Sequence, residues 1–223
     1  MTLEEFDLQF DILYNNISSD RAPGLTAVEK SILLSDAQEN MVQAGYRAYE
    51  EGEELAQWMR PLVCTSVYYG VDSGKEPKFS VPEHPAVDGA LEAKVPNRCL
   101  GIVYESAFVK DSSCGKVVEM PVVPVAHDDL RRTLSNPFRG TKAKRVLRLL
   151  RGDSVELVAG GYLDSYRMRY VRMAKPIVLK GVSYRDGDFV MDADGDGSPC
   201  ELPEQAHLMI LKDAVTLAKG LWA

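Results

Sequence analysis

The sequence predicts an α+β fold with a helical hairpin at the N-terminus, a small, mainly antiparallel β-sheet domain in the middle and a helix at the C-terminus. Three observations carry this prediction. Apolar residues recur every three or four positions in the first 54 residues, which is the period of an amphipathic helix. In the stretches 145–151 and 166–173, Arg or Lys lies on one side and apolar residues on the other, which indicates half-buried antiparallel strands. The helical period returns after Pro203.

Two helices form the predicted hairpin, to which residues 1–58 are assigned. The first covers residues 2–14 and carries acidic residues early, where they favour a helix N-terminus. The second begins after Thr26 and runs to about Glu54, because Thr26 followed by Glu29 is a capping box. Their expected apolar faces are Leu3, Phe6, Phe10 and Leu13 in the first helix and Val28, Ile32, Ala37, Met41, Ala44 and Ala48 in the second.

A β-rich domain is assigned to residues 59–200. Its stretch 70–97 is rich in Gly, Pro and charge and predicts a long loop. Asp111–Gly115 predicts a hairpin connection, and a short helix begins near His127 and stops near Asn136. The predicted strands are 62–69, 100–110, 116–125, 145–151, 154–159 and 166–173.

The C-terminal helix is assigned to residues 201–223 and is expected to pack on the core. Pro203 suits a first helical position, because proline fixes the backbone there without removing a needed hydrogen bond. The expected apolar face consists of Ala206, Ile210, Ala214, Leu217 and Leu221.

Composition excludes several classes of protein. With 26% charged and 8% aromatic residues among 223, the chain has the make-up of a folded globular protein rather than a disordered one. No apolar run is long enough to span a bilayer, and the acidic start lacks the features of a signal peptide, so a soluble, intracellular-type protein without a membrane partner is expected.

An enzyme is disfavoured by what the sequence lacks. The four cysteines include no CxxC pair and the three histidines no metal-spaced pair. Phosphate-binding glycine loops, a GxSxG elbow and an HExxH motif are also absent from the sequence. No catalytic residue is therefore predicted.

Charge is distributed unevenly along the chain. Residues 1–60 carry twelve acidic and four basic side chains, whereas residues 131–151 carry eight basic and no acidic ones. Such a split points to a partner of opposite charge, either nucleic acid or the acidic part of another copy, although solvated strand faces would give the same pattern. The candidate contact residues are Arg139, Lys142, Lys144, Arg145, Arg148, Arg151, Arg167, Arg169 and Arg172.

An acidic, glycine-containing string lies before the last helix. Asp192, Asp194 and Asp196 alternate with small residues, and alternating carboxylates can converge on one hard cation. With Cys200 and Glu201, the string resembles the short calcium-binding excalibur segment. Calcium at Asp192, Asp194, Asp196 and Glu201 is therefore one interpretation, and an acidic turn leading into the helix is the other; no other cofactor is expected.

Several blocks of sequence, spread in order over most of the chain, resemble one family. They are Glu5-Phe6-Asp7, residues 13–19, residues 22–25, residues 29–31 and 37–39, residues 121–128, Asn136-Pro137-Phe138-Arg139, Arg167 to Arg172, residues 175–179, residues 200–204 and Ala214-Val215. Together they are similar to a virion structural protein of tailed phages that infect Bacteroidetes, including the crAss-like phages.

This resemblance implies a neck protein, one of the rings between the portal and the tail. Such a ring is built from copies of one chain, seals the head-tail junction and lines the channel through which genomic DNA leaves. The implied partners are further copies of the chain, the portal protein, other neck or tail ring proteins and the passing DNA. The implied location is the virion, after assembly in the host cytoplasm.

A DNA-binding module that grips phosphates with the basic 131–175 segment is the alternative interpretation. Within a ring, the basic residues could face the channel or the boundary between subunits. Because a channel that lets DNA slide is poor in strong phosphate contacts, the boundary is favoured for Arg167 and Arg169.

Overall fold

The computed structural model describes residues 1–15, 24–52, 54–71, 73–110 and 115–220, and it confirms the α+β fold class. The helices are α1 (Leu3–Asn15), α2 (Ala27–Glu50), α3 (Leu130–Ser135) and α4 (Glu204–Gly220), with 3₁₀ turns at Gln57–Leu62 and Thr141–Ala143. The strands are β1 (Val63–Tyr69), β2 (Leu91–Lys94), β3 (Cys99–Lys110), β4 (Val117–Pro124), β5 (Val146–Arg151), β6 (Ser154–Val158), β7 (Tyr162–Arg172), β8 (Val182–Arg185) and β9 (Asp188–Met191).

The chain divides into two compact units. The first combines Met1–Val63 with Arg172–Ala223, so both ends of the chain contribute to it. The second consists of Cys64–Val171 and holds the large sheet. No helix in the described ranges is both long enough and apolar enough to cross a membrane.

Packing of α4 against both α1 and α2 forms the helical part of the first unit. From α1 the side chains of Phe6, Phe10 and Tyr14 are buried, close to the predicted face. The side chains that α4 buries are Ala206, His207, Ile210, Leu211, Ala214, Val215 and Ala218. Each of these helices therefore turns one stripe inward, as the helical period predicts.

The buried face of α2 differs from the prediction. Ile32 is 38% exposed, whereas the polar residues Ser31 and Gln38 are buried. Both have partners, since the Ser31 hydroxyl accepts a hydrogen bond of 3.0 Å from the Leu179 N–H and the Gln38 amide donates one of 2.7 Å to the Lys175 carbonyl. The pattern of apolar residues does not predict this face, because polar side chains with hydrogen-bond partners occupy part of it.

Lys30 joins α1 to α2 from a buried position. Its ammonium group donates hydrogen bonds of 2.8 Å to Asp7 and 2.7 Å to Asp11, which lie one turn apart on α1. Burial is the largest influence on the pKa of Lys30 and lowers it, but the two carboxylates outweigh burial and hold the pKa above its ordinary value. Lys30 therefore stays charged and binds two half-exposed acidic residues of the N-terminal segment.

Replacing Thr26 with Ala is expected to lower the free energy of unfolding by about 1 kcal/mol, because the Thr26 hydroxyl caps the start of α2. Denaturant unfolding measures the change. Thr216→Ala is the matched control, since Thr216 lies inside α4 and bonds only its own helix carbonyl at Lys212, so a stability change near zero is expected. Equal losses in both variants would show that the cap does not contribute.

In the second unit, seven strands pair in the order β1-β7-β3-β4-β5-β6-β2. The pairs β3–β4, β5–β6 and β2–β6 are antiparallel and β4–β5 is parallel. Residues 77–80 join the two edges, because Phe79 donates to the Tyr69 carbonyl at 3.0 Å while Ser80 and Glu92 exchange hydrogen bonds of 2.9 and 2.8 Å. This short bridge connects the Tyr69 end of β1 to β2 and helps to enclose one face of the sheet.

Two apolar clusters lie on opposite faces of this sheet. The enclosed face holds Tyr68, Phe79, Ala93, Ala107, Val109, Val146, Val155, Leu157, Leu163, Tyr166, Met168 and Tyr170. The outer face of β5 and β6 packs Leu147, Leu149 and Val158 against Leu130 of α3 and Ala90. Alternation of side chains along each strand decides which cluster a residue joins.

Three segments differ from their prediction or lie outside the described residues. The predicted loop 70–97 contains β2 and the edge-joining residues 77–80, which are too short to show an alternating pattern. The hairpin β8–β9, in register from Val182 opposite Met191, was not predicted, because its strands have only four residues each. Residues 111–114 of the predicted hairpin connection fall outside the described residues, although the antiparallel pair β3–β4 that it joins is present.

Candidate interaction surface

The nine basic residues predicted as contacts lie in different surroundings. Five are exposed, and four are partly buried. The exposed ones are Arg139, Lys142, Lys144, Arg151 and Arg169, and the partly buried ones are Arg145, Arg148, Arg167 and Arg172. Two of the partly buried residues, Arg148 and Arg172, form ion pairs of low exposure within the chain.

Arg148 points into the enclosed face of the sheet. Its guanidinium lies 3.1 Å from a carboxylate oxygen of Glu105 on β3, and the two side chains are only 15% and 9% exposed. The Tyr166 hydroxyl of β7 donates to the other oxygen of Glu105. This side chain therefore belongs to an internal charge network and not to a contact surface.

Burial and the partners of Glu105 act on its pKa in opposite directions. Burial is the largest influence and raises the pKa, while the hydrogen bond from Tyr166 and the charge of Arg148 lower it. The net pKa is above the ordinary value of 4.5. Arg148 therefore offsets part of the effect of burial on this carboxyl group.

Arg172 is held in a second ion pair, within the first unit. Its guanidinium contacts Glu201 at 2.8 Å, and the ammonium of Lys175 lies 3.4 Å from the same carboxylate. Burial is the largest single influence on the pKa of Glu201, and it raises that pKa. The combined effect of Arg172 and Lys175 is larger and lowers the pKa below its ordinary value. Glu201 is therefore an anion that already has two cationic partners.

Arg167 and Arg169 lie on the outer face of β7, since Tyr166, Met168 and Tyr170 point into the core. The Arg167 guanidinium lies 5.5 Å from the ring centre of Phe108, and that of Arg169 lies 5.7 Å from the ring centre of Tyr104. Both distances fit a cation–π contact. We call these four residues the arginine–aromatic face.

The arginine–aromatic face has the composition of a protein contact. Tyr104 is 50% exposed and Arg169 is also exposed, so neither is covered within the chain. Across the β3–β4 pair, Glu119 lies directly opposite Phe108 and adds one acid at the border. Tyrosine and arginine are the residues most enriched among those that dominate binding energy at interfaces.

Sequence reasoning missed the aromatic half of this face. The signal was present, because residues 104 and 108 are separated by an even number of positions on a predicted strand and so share one side. Residues 167 and 169 share a side for the same reason. What the sequence did not show is that β3 and β7 are neighbours in the sheet.

Two of the residues predicted to bind calcium, Asp192 and Glu201, have basic partners within the chain. Asp192 pairs with Arg185 at 2.9 Å and accepts a weak hydrogen bond of 3.3 Å from the Asp194 N–H, while Glu201 bonds Arg172. In the described part of the chain, no three His, Cys, Asp or Glu side chains are grouped to hold a metal ion. Calcium binding stays an untested prediction.

Backbone packing explains why glycine occupies two positions of the same loop. Gly197 has a φ of +74°, and a Cβ there would lie 2.4 Å from the Val178 carbonyl oxygen. Gly195 is packed almost as closely against the Val182 carbonyl, at 2.6 Å. Close backbone contact therefore accounts for the glycines without a bound ion.

Acidic groups that could face a basic partner lie on α2. Asp36 and Glu39 are exposed and border a groove between α2 and α4, which Asn40, Gln43 and Leu217 also line. Other acids of the N-terminal segment are already used, since Asp7 and Asp11 bind Lys30. Part of the acidic excess of residues 1–60 is therefore exposed on the surface of α2.

Comparison with known proteins confirms the resemblance found in the sequence. The family model for phage tail ring protein 3/4 matches residues 1–221. Ring protein 3 of Bacteroides phage crAss001 is 34% identical over 98% of this chain and 95% of its own length. Ring protein 4/5 of the same phage is 30% identical over 100% of this chain and 94% of its own length. The similarity therefore includes both compact units.

Proposed function

The chain belongs to the phage tail ring protein 3/4 family, and on that premise we propose that it forms a ring in the phage neck between portal and tail. The ring would contain about twelve copies arranged head to tail, as in other closed cyclic assemblies. It would seal the head-tail junction and surround the path of the genome. Its role would be structural, with no catalysis.

The main support for the proposal is the family match along residues 1–221, which covers both compact units of the fold. The surface chemistry supports it. A closed ring needs different contact surfaces on each copy, and the chain has the arginine–aromatic face on β3 and β7 and, as a separate surface, exposed acidic side chains on α2. The partners proposed are copies of the chain, the portal, neighbouring ring proteins and the genomic DNA that passes through.

The arginine–aromatic face is the proposed boundary between subunits, which gives a direct test. Arg167→Glu with Arg169→Glu is expected to abolish ring formation, because both cation–π contacts are lost and the surface charge is reversed. Electron microscopy and light scattering of the chain, co-expressed with the portal and the other tail proteins, measure the result.

Lys94→Glu with Lys116→Glu is the matched control, since it makes the same charge change at two exposed positions that are not among the four residues of this face. Normal ring formation by the Arg167/Arg169 variant would show that this face is not the boundary between subunits. A wild-type chain that stays monomeric beside the portal and binds DNA with steep salt dependence would instead favour the nucleic-acid module. Two of the basic residues invoked by that module, Arg148 and Arg172, already have carboxylate partners.

A further inference from the structure

Phe138 is the most exposed large apolar side chain in the described residues, at 82%. It sits between α3 and the 3₁₀ turn at Thr141–Ala143. A single exposed apolar residue is ordinary on a protein surface. Here the backbone around Phe138 and its charged neighbours add the two features that distinguish an interaction site.

The turn that presents Phe138 is firmly held. The Asn136 side chain accepts a hydrogen bond of 2.9 Å from the Phe138 N–H, and the Asn136 carbonyl accepts one of 2.8 Å from the Gly140 N–H. A Cβ on Gly140 would lie 2.9 Å from the Leu134 carbonyl, so glycine is needed for the turn to close this tightly. Because the turn is already ordered, docking Phe138 costs little conformational entropy.

Two exposed arginines lie beside the turn that carries Phe138, since they line one cavity with Asn136. Arg139 follows Phe138 directly, and Arg132 of α3 lines the same polar cavity as Arg139. Arg132 lies 3.8 Å from Asp129, but its side chain is 87% exposed, so this pair leaves it accessible. Aromatic residues and arginine are both enriched at protein interfaces. We call Phe138, Arg132 and Arg139 the Phe138 knob.

The same chain carries a surface of matching chemistry. The groove between α2 and α4 measures about 280 Å³, which is enough to admit an aromatic side chain. Leu217 lines it and is 37% exposed, which provides apolar contact. Asp36 and Glu39 at its border provide exposed carboxylates. The other four lining residues are polar or charged, so the groove offers carboxylates to the arginines near Phe138 and one leucine to its ring.

We propose that the Phe138 knob of one copy inserts into the α2–α4 groove of the next copy. This inference rests on the proposed ring and specifies a contact within it, separate from the arginine–aromatic face. The knob and the groove are different surfaces of one chain, so the contact joins neighbouring copies head to tail. Phe138 meets Leu217, and Arg139 and Arg132 pair with Glu39 and Asp36.

A photo-crosslinking amino acid at position 138 tests this placement in the assembled protein. The chain is co-expressed with the portal and other tail proteins as an equal mixture of light and heavy isotope forms, so that links between copies are distinguished by mass. The expected product joins position 138 of one copy to the segment 36–43 or to Leu217 of another. Rings in which position 138 links elsewhere, or to nothing, overturn the inference while leaving the proposed function intact.

Two substitutions give an independent measure. Phe138→Ala is expected to reduce the assembled fraction at a fixed concentration by roughly tenfold or more, the usual effect of removing an interface anchor. Met191→Ala is the matched control, since Met191 is also apolar and 68% exposed but lies on β9. Arg139→Glu is expected to impair assembly similarly, and Glu39→Arg in the same chain is expected to restore it.

Each outcome decides between the two proposals. Restoration by the charge exchange, with the predicted crosslink, supports the knob and groove. Rings unaffected by Phe138→Ala, or an Arg139→Glu defect that Glu39→Arg does not restore, overturn this contact alone. If the wild-type chain forms no assembly with its phage partners, the proposed ring fails and this inference fails with it.

Discussion

Replacing Arg148 with Leu is expected to lower the free energy of unfolding by about 3–5 kcal/mol, the usual cost of removing one partner of a buried ion pair. The cost arises from Glu105, which would remain as an unpaired carboxylate in an enclosed apolar face, with only the Tyr166 hydroxyl as partner. Denaturant unfolding of the variant and the wild type measures it. Leu is used because it fills part of the same space without a charge.

This loss is expected to depend on pH in a direction that the pKa of Glu105 fixes. Glu105 has a raised pKa in the folded chain, so its favourable contribution is greatest below its ordinary pKa of 4.5 and is lost as the pH rises through the folded value. Removing Arg148 raises the folded pKa further. The stability deficit of the variant should therefore shrink as the pH falls, by at most about 1.4 kcal/mol per pH unit.

Two further variants separate the charge effect from lost packing. Arg148→Leu with Glu105→Leu removes both charges and is expected to be more stable than Arg148→Leu alone. Arg151→Leu, on the same strand but exposed, loses one hydrogen bond to the His84 carbonyl and is expected to cost about 1 kcal/mol or less. A deficit that does not change with pH, or a double variant less stable than the single one, would contradict the charge network.

The position of Arg148 was not predicted correctly from the pattern of basic residues in its strand. Arg145, Arg148 and Arg151 are spaced by three, so a strand places the middle one on the opposite side from the other two. In β7 the spacing of Arg167 and Arg169 is two, and they do share the outer face. The predicted alternation of basic and apolar faces therefore holds in β7 and fails in β5.

Local chemistry was readable from the sequence, whereas long-range pairing was not. The capping box of Thr26 and Glu29 is formed as predicted, because it needs only four consecutive residues. The pairing of Glu201 with Arg172 spans 29 positions, and that of Glu105 with Arg148 spans 43. No short sequence pattern identifies either pair. For that reason Arg148, Arg172 and Glu201 were predicted to contact other partners.

The same limit applies to the candidate surface. The sequence indicated that Arg167 and Arg169 lie at a boundary, but the identity of the aromatic rings beneath them depends on β3 and β7 being adjacent. The exposure of Phe138 depends on what packs around its turn. Periodicity reports which side of an element a residue occupies, and only the fold reports what lies opposite it.

Replacing Phe10 with Ala is expected to lower the free energy of unfolding by about 3–5 kcal/mol, the usual cost of deleting a buried aromatic ring. Phe10 is fully buried in the first unit, with its ring centre 6.1 Å from that of Tyr14. Because α1 packs on α4, the cavity loosens both helices. Denaturant unfolding gives the size of the loss, and hydrogen exchange of the α4 amides shows where it acts.

Leu8→Ala is the matched control for Phe10→Ala. Leu8 lies on the same helix but is 62% exposed, so its truncation is expected to change the free energy of unfolding by no more than about 0.5 kcal/mol. Similar losses in both variants would mean that α1 is not anchored by its inward face. If Phe10→Ala left the exchange of the α4 amides unchanged, α1 would not stabilise α4, and the packing that joins the two ends of the chain into one unit would be wrong.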